Sequence, residues 1–453
     1  MAKPIFSRRT PLIAAGALLL AGTVALTGCA PGAAEDAANS EYGFAAAEQV
    51  ADSPITVWID ASREPAITAF REAHPDIPIE FEVYDGNAGG SGTFQTKVAL
   101  MDQSGEGWPD VVFSSQQNDA IWASQENAGV QPYAAPLNKG LLPEDFLDGF
   151  AAGSLDYSTV DGTVYGLRND LVQVVTYYNQ NLLDEFGYEV PTTWEEYGEL
   201  GDKLAEEHPG YILGSLGDAF MTYVYYAGSE SPVFQAEGTE FSTDTTDKNT
   251  QKITKILDRM LENGTLVQDS FFSATFADKY ADKIVALPGP VWYTGSIFQG
   301  ALEVPAGEIG VAAPLSWEGG EPATGNVGGG IWYASSHSKN LDAVTEFLTF
   351  VTSAPEFQVE ASSAYPAYTE AAEGWLAKLD ETNYFVNDDF KEIMQSAADS
   401  IWPGWSVTKW SPETAWATVV IPGIAEGKSI ESLLPTWEEK LKNEATVNGY
   451  TVK

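Results

Sequence analysis

A two-domain α/β fold is predicted by three observations. Strand and helix patterns alternate from Ile55 onward. A chain of 453 residues is long enough for two domains. Cys29 is the only cysteine, so no internal disulfide can form and a sizeable core must carry stability. The first lobe shows the pattern most clearly. "ITVWID" (Ile55 to Asp60) alternates as a strand, and "EPAITAFREAHP" has helical spacing at Ile67, Phe70 and Ala73, ending before Pro75. "IPIEFEVYD" reads as a second strand, "TFQTKVALMDQSG" as a helix closed by Gly105, and "PDVVFSS" as a third strand. This β-α-β-α-β order predicts a mostly parallel sheet. "TWEEYGELGDKLAEEHPG" and "LDAVTEFLTFVTSAP" continue the alternation as helices.

The region before Ile55 reads differently. Lys3, Arg8 and Arg9 are the only charges before Cys29, and Leu12 to Leu26 is apolar or small. A basic start and a short apolar run describe a secretory signal, because a membrane span needs about 20 apolar residues. "SRRTPLI" carries a twin arginine. "LTGC" (Leu26 to Cys29) resembles a bacterial lipobox, in which the cysteine becomes the lipidated first residue. Residues 1–28 are then a signal peptide and 29–53 a lipidated tether of small and polar residues, including Ala30 to Ala51. Attachment to the membrane is expected through lipid alone.

Removing Lys3, Arg8 and Arg9 from the 23 basic residues leaves 20 against 65 acids, a formal charge of −45. A polyanion of this size does not seek nucleic acid or anionic lipid. Catalytic motifs fail on spacing. "GIAEGKS" (Gly423 to Ser429) has three residues between its glycines where a phosphate loop needs four. No G-x-S-x-G elbow occurs. His74, His208 and His337 are far apart, which disfavours zinc. "DTTDKNT" (Asp244 to Thr250) lacks the glycine of a calcium loop and reads as a helix start. No metal and no cofactor is expected. Paired carboxylates for glycoside cleavage stay open, since 65 acids offer many pairs.

Several segments, taken in order, resemble the family 1 extracellular solute-binding proteins, the sugar-capturing subunits of ABC importers. These are "AITAFREAHPDIPIEFE", "TKVALMDQSGEGWPDVVFSS", "VDGTVYGLRNDLVQVVTYYNQNLLDEFGYEVPTTWEEY", "DKIVALPGPVWY" and "GGGIWYASSHSKNLDAVTEFLTFVTS". Two positions depart from the family pattern: Arg168 stands where a proline is usual, and Asp282 where a glycine is usual. The resemblance implies a two-lobed periplasmic-binding-protein type II fold, with a hinge and the ligand in an interlobe cleft. Crossings are expected near Tyr165 to Gln173, Trp317 to Gly325 and Val359 to Tyr365. Lobe 1 is then 54–167 plus 318–360, and lobe 2 is 168–317 plus 361–453. The implied partners are a carbohydrate ligand and ABC permease subunits, with the protein a monomer on the extracellular face of the cell membrane. A secreted glycan-active hydrolase and a surface lectin-like module remain alternatives.

A pyranose offers a C–H face to aromatic rings and an equator of hydroxyls to polar groups. The resemblance puts stacking at Trp292, with Tyr293 beside it. Trp402 and Trp405 flank "PG" in a turn-rich loop, and Trp332 follows the glycine run that includes Gly329. Asp60, Ser62, Gln116 and Gln117 end strands, where helix capping is the other reading. Arg168 and Asp170 of "LRND" fall at the first crossing and Tyr365 at the third. The plentiful aromatics, 13 Trp, 20 Tyr and 21 Phe, suggest that some line a site. The strongly negative protein field favours a neutral sugar over an acidic one.

Overall fold

The computed structural model describes residues 42–453. The signal segment, the lipobox and Cys29 lie outside them. In chain order the principal strands are β1 (Ile55–Ile59), β2 (Ile79–Val83), β3 (Val111–Ser114), β4 (Leu167–Arg168), β5 (Val174–Asn179), β6 (Ala286–Pro290), β7 (Ile309–Ala312) and β8 (Ile331–Ala334). The principal helices are α1 (Glu64–Ala73), α2 (Thr93–Ser104), α3 (Trp194–Glu207), α4 (Lys248–Glu262), α5 (Leu341–Ser353) and α6 (Ile430–Val447).

Lobe 1 is built on a sheet of order β2-β1-β3-β8-β4. Strand β1 is parallel to β2 and β3, with Val57 beside both Phe81 and Val111. The expected parallel sheet holds for these three strands only. Strand β8 is antiparallel to β3 and β4, because the chain re-enters this sheet from the other lobe. Helix α1 buries Ala66, Ile67 and Phe70, whereas Ala73 is exposed. Gly105 ends α2 at φ 75, a left-handed conformation that costs glycine little.

Lobe 2 is built on an antiparallel sheet of order β6-β5-β7. Helix α3 starts with a capping box, the Thr193 side chain accepting from Glu196 N and the Glu196 side chain accepting from the Thr193 backbone. Asp247 caps α4 by accepting from the backbone of Asn249 and Thr250, so "DTTDKNT" is a helix start. Much of the aromatic excess is core: Trp194, Trp332, Trp416 and Trp437 are fully buried.

Three segments cross between the sheets, side by side. Residues 169–173 form the middle one. On one side Val327 N donates to Val172 O (3.0 Å) and Asn169 N to Gly330 O (2.8 Å). On the other, Leu171 N donates to Tyr365 O (2.8 Å) and Ala367 N to Asn169 O (3.1 Å). The first crossing is where the sequence puts it, and the other two fall later in the chain. Trp317 to Gly325 stays with lobe 2: Trp317 Nε1 donates to Ser229 O (2.9 Å), and Thr324 bridges to Ile401. The second crossing is therefore 326–330 and the third 365–367.

The expected tether also needs correction at its C-terminal end. From Tyr42 the chain is docked on lobe 1, with Phe44 buried. Val50 N donates to Lys339 O (2.6 Å), Leu341 N to Gln49 Oε1 (2.8 Å) and Asn340 Nδ2 to Ser53 O (2.7 Å).

Candidate ligand-binding site

A cavity of about 420 Å³ opens between the lobes against the crossing strands. Lobe 1 contributes the ends of β1 and β3 and the loop after β2. Lobe 2 contributes the turn after β6, two loops carrying phenylalanine, and Glu413. The crossings form its floor with Asp170 and residues Val327 to Gly330.

The loop after β2 is held by a buried carboxylate. Asn87 has φ 62 and is buried. Its Nδ2 donates to Asp119 Oδ2 (2.5 Å), while its Oδ1 accepts from Phe94 N (2.9 Å). Asp119 also accepts from Ser114 Oγ (2.5 Å) and Gln95 Nε2 (2.7 Å). The loop carrying Ala88 and Gly89 is thus fixed to the end of β3, beside Ser115 and Gln116. Burial lifts the Asp119 carboxyl to about 6, against the effect of its three donors.

The aromatic wall is Trp292 with two rings. Phe272 lies parallel to it at 6.0 Å and 18°, and Phe220 meets it edge-on at 5.4 Å. Trp292 Nε1 donates to Val327 O (3.2 Å), which ties the ring to the second crossing. Phe272 is 58% exposed, so its ring can be reached from solvent.

Of the residues selected from sequence, Asp60, Ser62, Gln116, Asp170, Trp292 and Gly329 line this cavity. The others do not. Arg168 is buried beneath the crossings. Its Nε donates to Asp170 O (3.0 Å), and its Nη2 to Gly328 O (2.8 Å) and Asn326 Oδ1 (3.3 Å). Tyr157 covers its guanidinium at 4.8 Å. Gly329 makes this possible, since a Cβ there would stand 1.9 Å from Nη2. Gln117 is a strut, with Nε2 donating to Asn326 O and Gly328 O. Tyr293 and Trp332 are core, the first beside Phe271 and the second beside Phe113. Tyr365 is buried and supports the third crossing through its backbone, its ring edge-on to Trp375. Trp402 pairs through its backbone with Thr324. Trp405 donates to Ser231 O (2.8 Å) and borders a separate recess between residues 151–157 and 398–407.

Sequence reasoning missed the cation of the site, Arg63. Its Nη1 lies 3.1 Å from Asp60 Oδ2, its Nη2 3.8 Å from Asp170 Oδ1, and the guanidinium 4.1 Å over the Phe113 ring. The available signal was the Asp-x-x-Arg spacing at the end of β1. Asp85, Asp218, Phe220, Phe272 and Glu413 were also missed. "DAF" and "SFF" sit in loops where an aromatic has no helix or strand face to pack on, which is a usable if weak signal. Asp170 is well held: Oδ1 accepts from Asn169 Nδ2 (2.9 Å) and Gly330 N (3.0 Å). Burial raises Asp218 above the ordinary carboxylate range, opposed by donors from Ser270 and Phe271.

Two lobes, three crossing segments and a cleft joining rings to hydrogen-bonding groups define a hinged solute-binding protein. The chain belongs to the bacterial extracellular solute-binding protein family, whose model matches residues 55–356. It is 21% identical over 296 residues to an arabinooligosaccharide-binding protein of Halalkalibacterium halodurans, covering 63% of each chain. It is 31% identical over 145 residues to the osmoprotective compounds-binding protein GgtB of Synechocystis, covering 32% of this chain and 31% of that one. The chain thus spans less than two thirds of either relative. Among solved structures, it superposes on an ABC transporter-associated binding protein of B. animalis subsp. lactis in complex with β-1,6-galactobiose. The TM-score is 0.71 at 18% identity, over 89% of this chain and all of that one. The galacto-N-biose/lacto-N-biose I-binding protein of Bifidobacterium longum gives the same TM-score at 17% identity, over 90% of this chain and all of that one. These likenesses fix the fold.

Proposed function

We propose that this protein captures a mono- or oligosaccharide in the interlobe cleft and hands it to the permease of an ABC transporter. The observation that carries the reading is the cavity itself. One wall is the Trp292 ring with its neighbours, suited to a sugar's C–H face, and the rest is a rim of hydrogen-bonding groups drawn from both lobes. Contacts to both lobes favour the closed hinge, a form that the permease can distinguish. Relatives named for arabinooligosaccharide and mannitol binding support a carbohydrate. We read the cleft as binding its ligand without chemical change, and the protein as a monomer. We assign ligand contacts to Asp60, Ser62, Gln116, Asp170, Trp292 and Gly329, joined by Arg63 and Glu413.

A thermal-shift screen against a saccharide panel tests the reading. A ligand at 100 times its dissociation constant stabilises by about 2.7 kcal/mol, a clear upward shift of the melting curve. A panel without any shift overturns the carbohydrate assignment. Release of new reducing ends from a bound glycan overturns the reading as a binding protein.

We also propose lipid anchoring at Cys29, from the lipobox-like "LTGC" and the absence of any other cysteine. Among the described residues no helix is long and apolar enough to cross a membrane. Cys29→Ser is expected to release the protein into the culture medium. Retention of the variant in the detergent fraction would count against the anchor.

A further inference from the structure

The cleft's charges are unequally matched. Its cation, Arg63, is already shared between Asp60 and Asp170. Among the described residues Asp85, Asp218 and Glu413 form no ion pair. Asp85 and Asp218 are eased by close donors. Asp85 accepts from Thr93 Oγ1 (2.7 Å) and Asn87 N (3.0 Å), and Asp218 from Ser270 Oγ (2.6 Å) and Phe271 N (2.9 Å).

Glu413 differs. It is 5% exposed and lines the cavity from lobe 2, where the neutral Gln116 side chain of lobe 1 eases its charge. A buried carboxylate served by a neutral amide is costly to keep charged. Burial accordingly pushes its carboxyl up to about 7. Either a proton or a cation on a ligand would satisfy it. The remaining surroundings favour the cation. The surplus carboxylates add negative potential, the rings of Trp292, Phe220 and Phe272 present π-faces, and the whole chain steers cations inward.

We propose that the saccharide taken by this cleft carries a protonated amino group, with Glu413 as its counter-ion. This rests on the carbohydrate reading above and narrows it. An uncharged sugar would offer Glu413 only hydroxyl donors and would forgo the attraction of Asp85 and Asp218. An amino sugar keeps the C–H face for Trp292 and adds a point charge for the carboxylates.

The test is calorimetry near pH 7 on gluco-, galacto- and manno-configured mono- and disaccharides. Each is supplied in hydroxyl, N-acetyl and free-amino form. The tightest ligand is expected to be a free-amino form, at least tenfold tighter than its own neutral forms. That ratio should shrink with added salt and fall severalfold in Glu413→Gln. A neutral form binding as tightly as its amino counterpart overturns the proposal and leaves the carbohydrate reading intact. A preference that survives Glu413→Gln overturns the counter-ion role. If no saccharide binds in any form, the carbohydrate reading falls, and this proposal with it.

Discussion

Trp292→Ala is expected to weaken saccharide binding by about 2 kcal/mol or more, roughly thirtyfold, as for aromatic anchors in other interfaces. The ring is the centre of the aromatic wall, with Phe272 parallel to it and Phe220 at its edge. An indole supplies a broad apolar face while ordering few torsions. It is also tied to the floor through Nε1 and Val327 O, so truncation loses both the face and its alignment. Trp292→Phe keeps a ring but loses the tie, and should fall between the wild type and the alanine variant. Calorimetry on variants with wild-type near-ultraviolet circular dichroism checks the prediction. Unchanged affinity in such a variant would remove Trp292 from the site.

Arg168→Ala is expected to cost about 3–5 kcal/mol of stability, the scale of stranding buried acceptors beside a new cavity. The guanidinium is 1% exposed and serves three acceptors: Asp170 O, Gly328 O and Asn326 Oδ1. Its removal strands them and opens a void under the crossings. Lysine is a poor replacement, because one ammonium on a flexible stem cannot reproduce the planar fork. A urea titration should show the midpoint falling steeply for alanine and substantially for lysine. A loss below about 1 kcal/mol would mean that the crossings are braced by their backbone ladder alone.

Local order in lobe 1 was legible because its signals are local. Alternation in "ITVWID", the break at Pro75 and Gly105 after α2 each state one element without help from elsewhere in the chain. Direction was less legible. Strand β8 joins the same sheet antiparallel because the chain has visited lobe 2 first, and no short window carries that history. The site divides in the same way. Strand ends such as Asp60 and Gln116 face the cleft because α/β folds present them there. Trp332 and Trp405 are no less aromatic than Trp292, but the first packs on Phe113 and the second bonds to Ser231, choices settled by tertiary neighbours. Arg63, not Arg168, lines the cavity. Burial of Arg168 depends on the empty space at Gly329, which sequence distance does not reveal. Glu413 reaches the cavity from the far end of the chain, and nothing in "SPET" marks it.

The docking of the chain from Tyr42 has a consequence for the search that precedes transport. A leash free from Cys29 to Ser53 would span at most about 85 Å when fully drawn out. With the chain held to lobe 1 from Tyr42, an anchor at Cys29 leaves a reach of only about 45 Å. The leash would also leave the body at a fixed place, where Gly43 lies against Lys139. With the proposed anchor at Cys29, halving that radius would concentrate the protein near the bilayer. The meeting with a permease would then be an encounter in a thin layer, governed by effective concentration more than by diffusion from bulk.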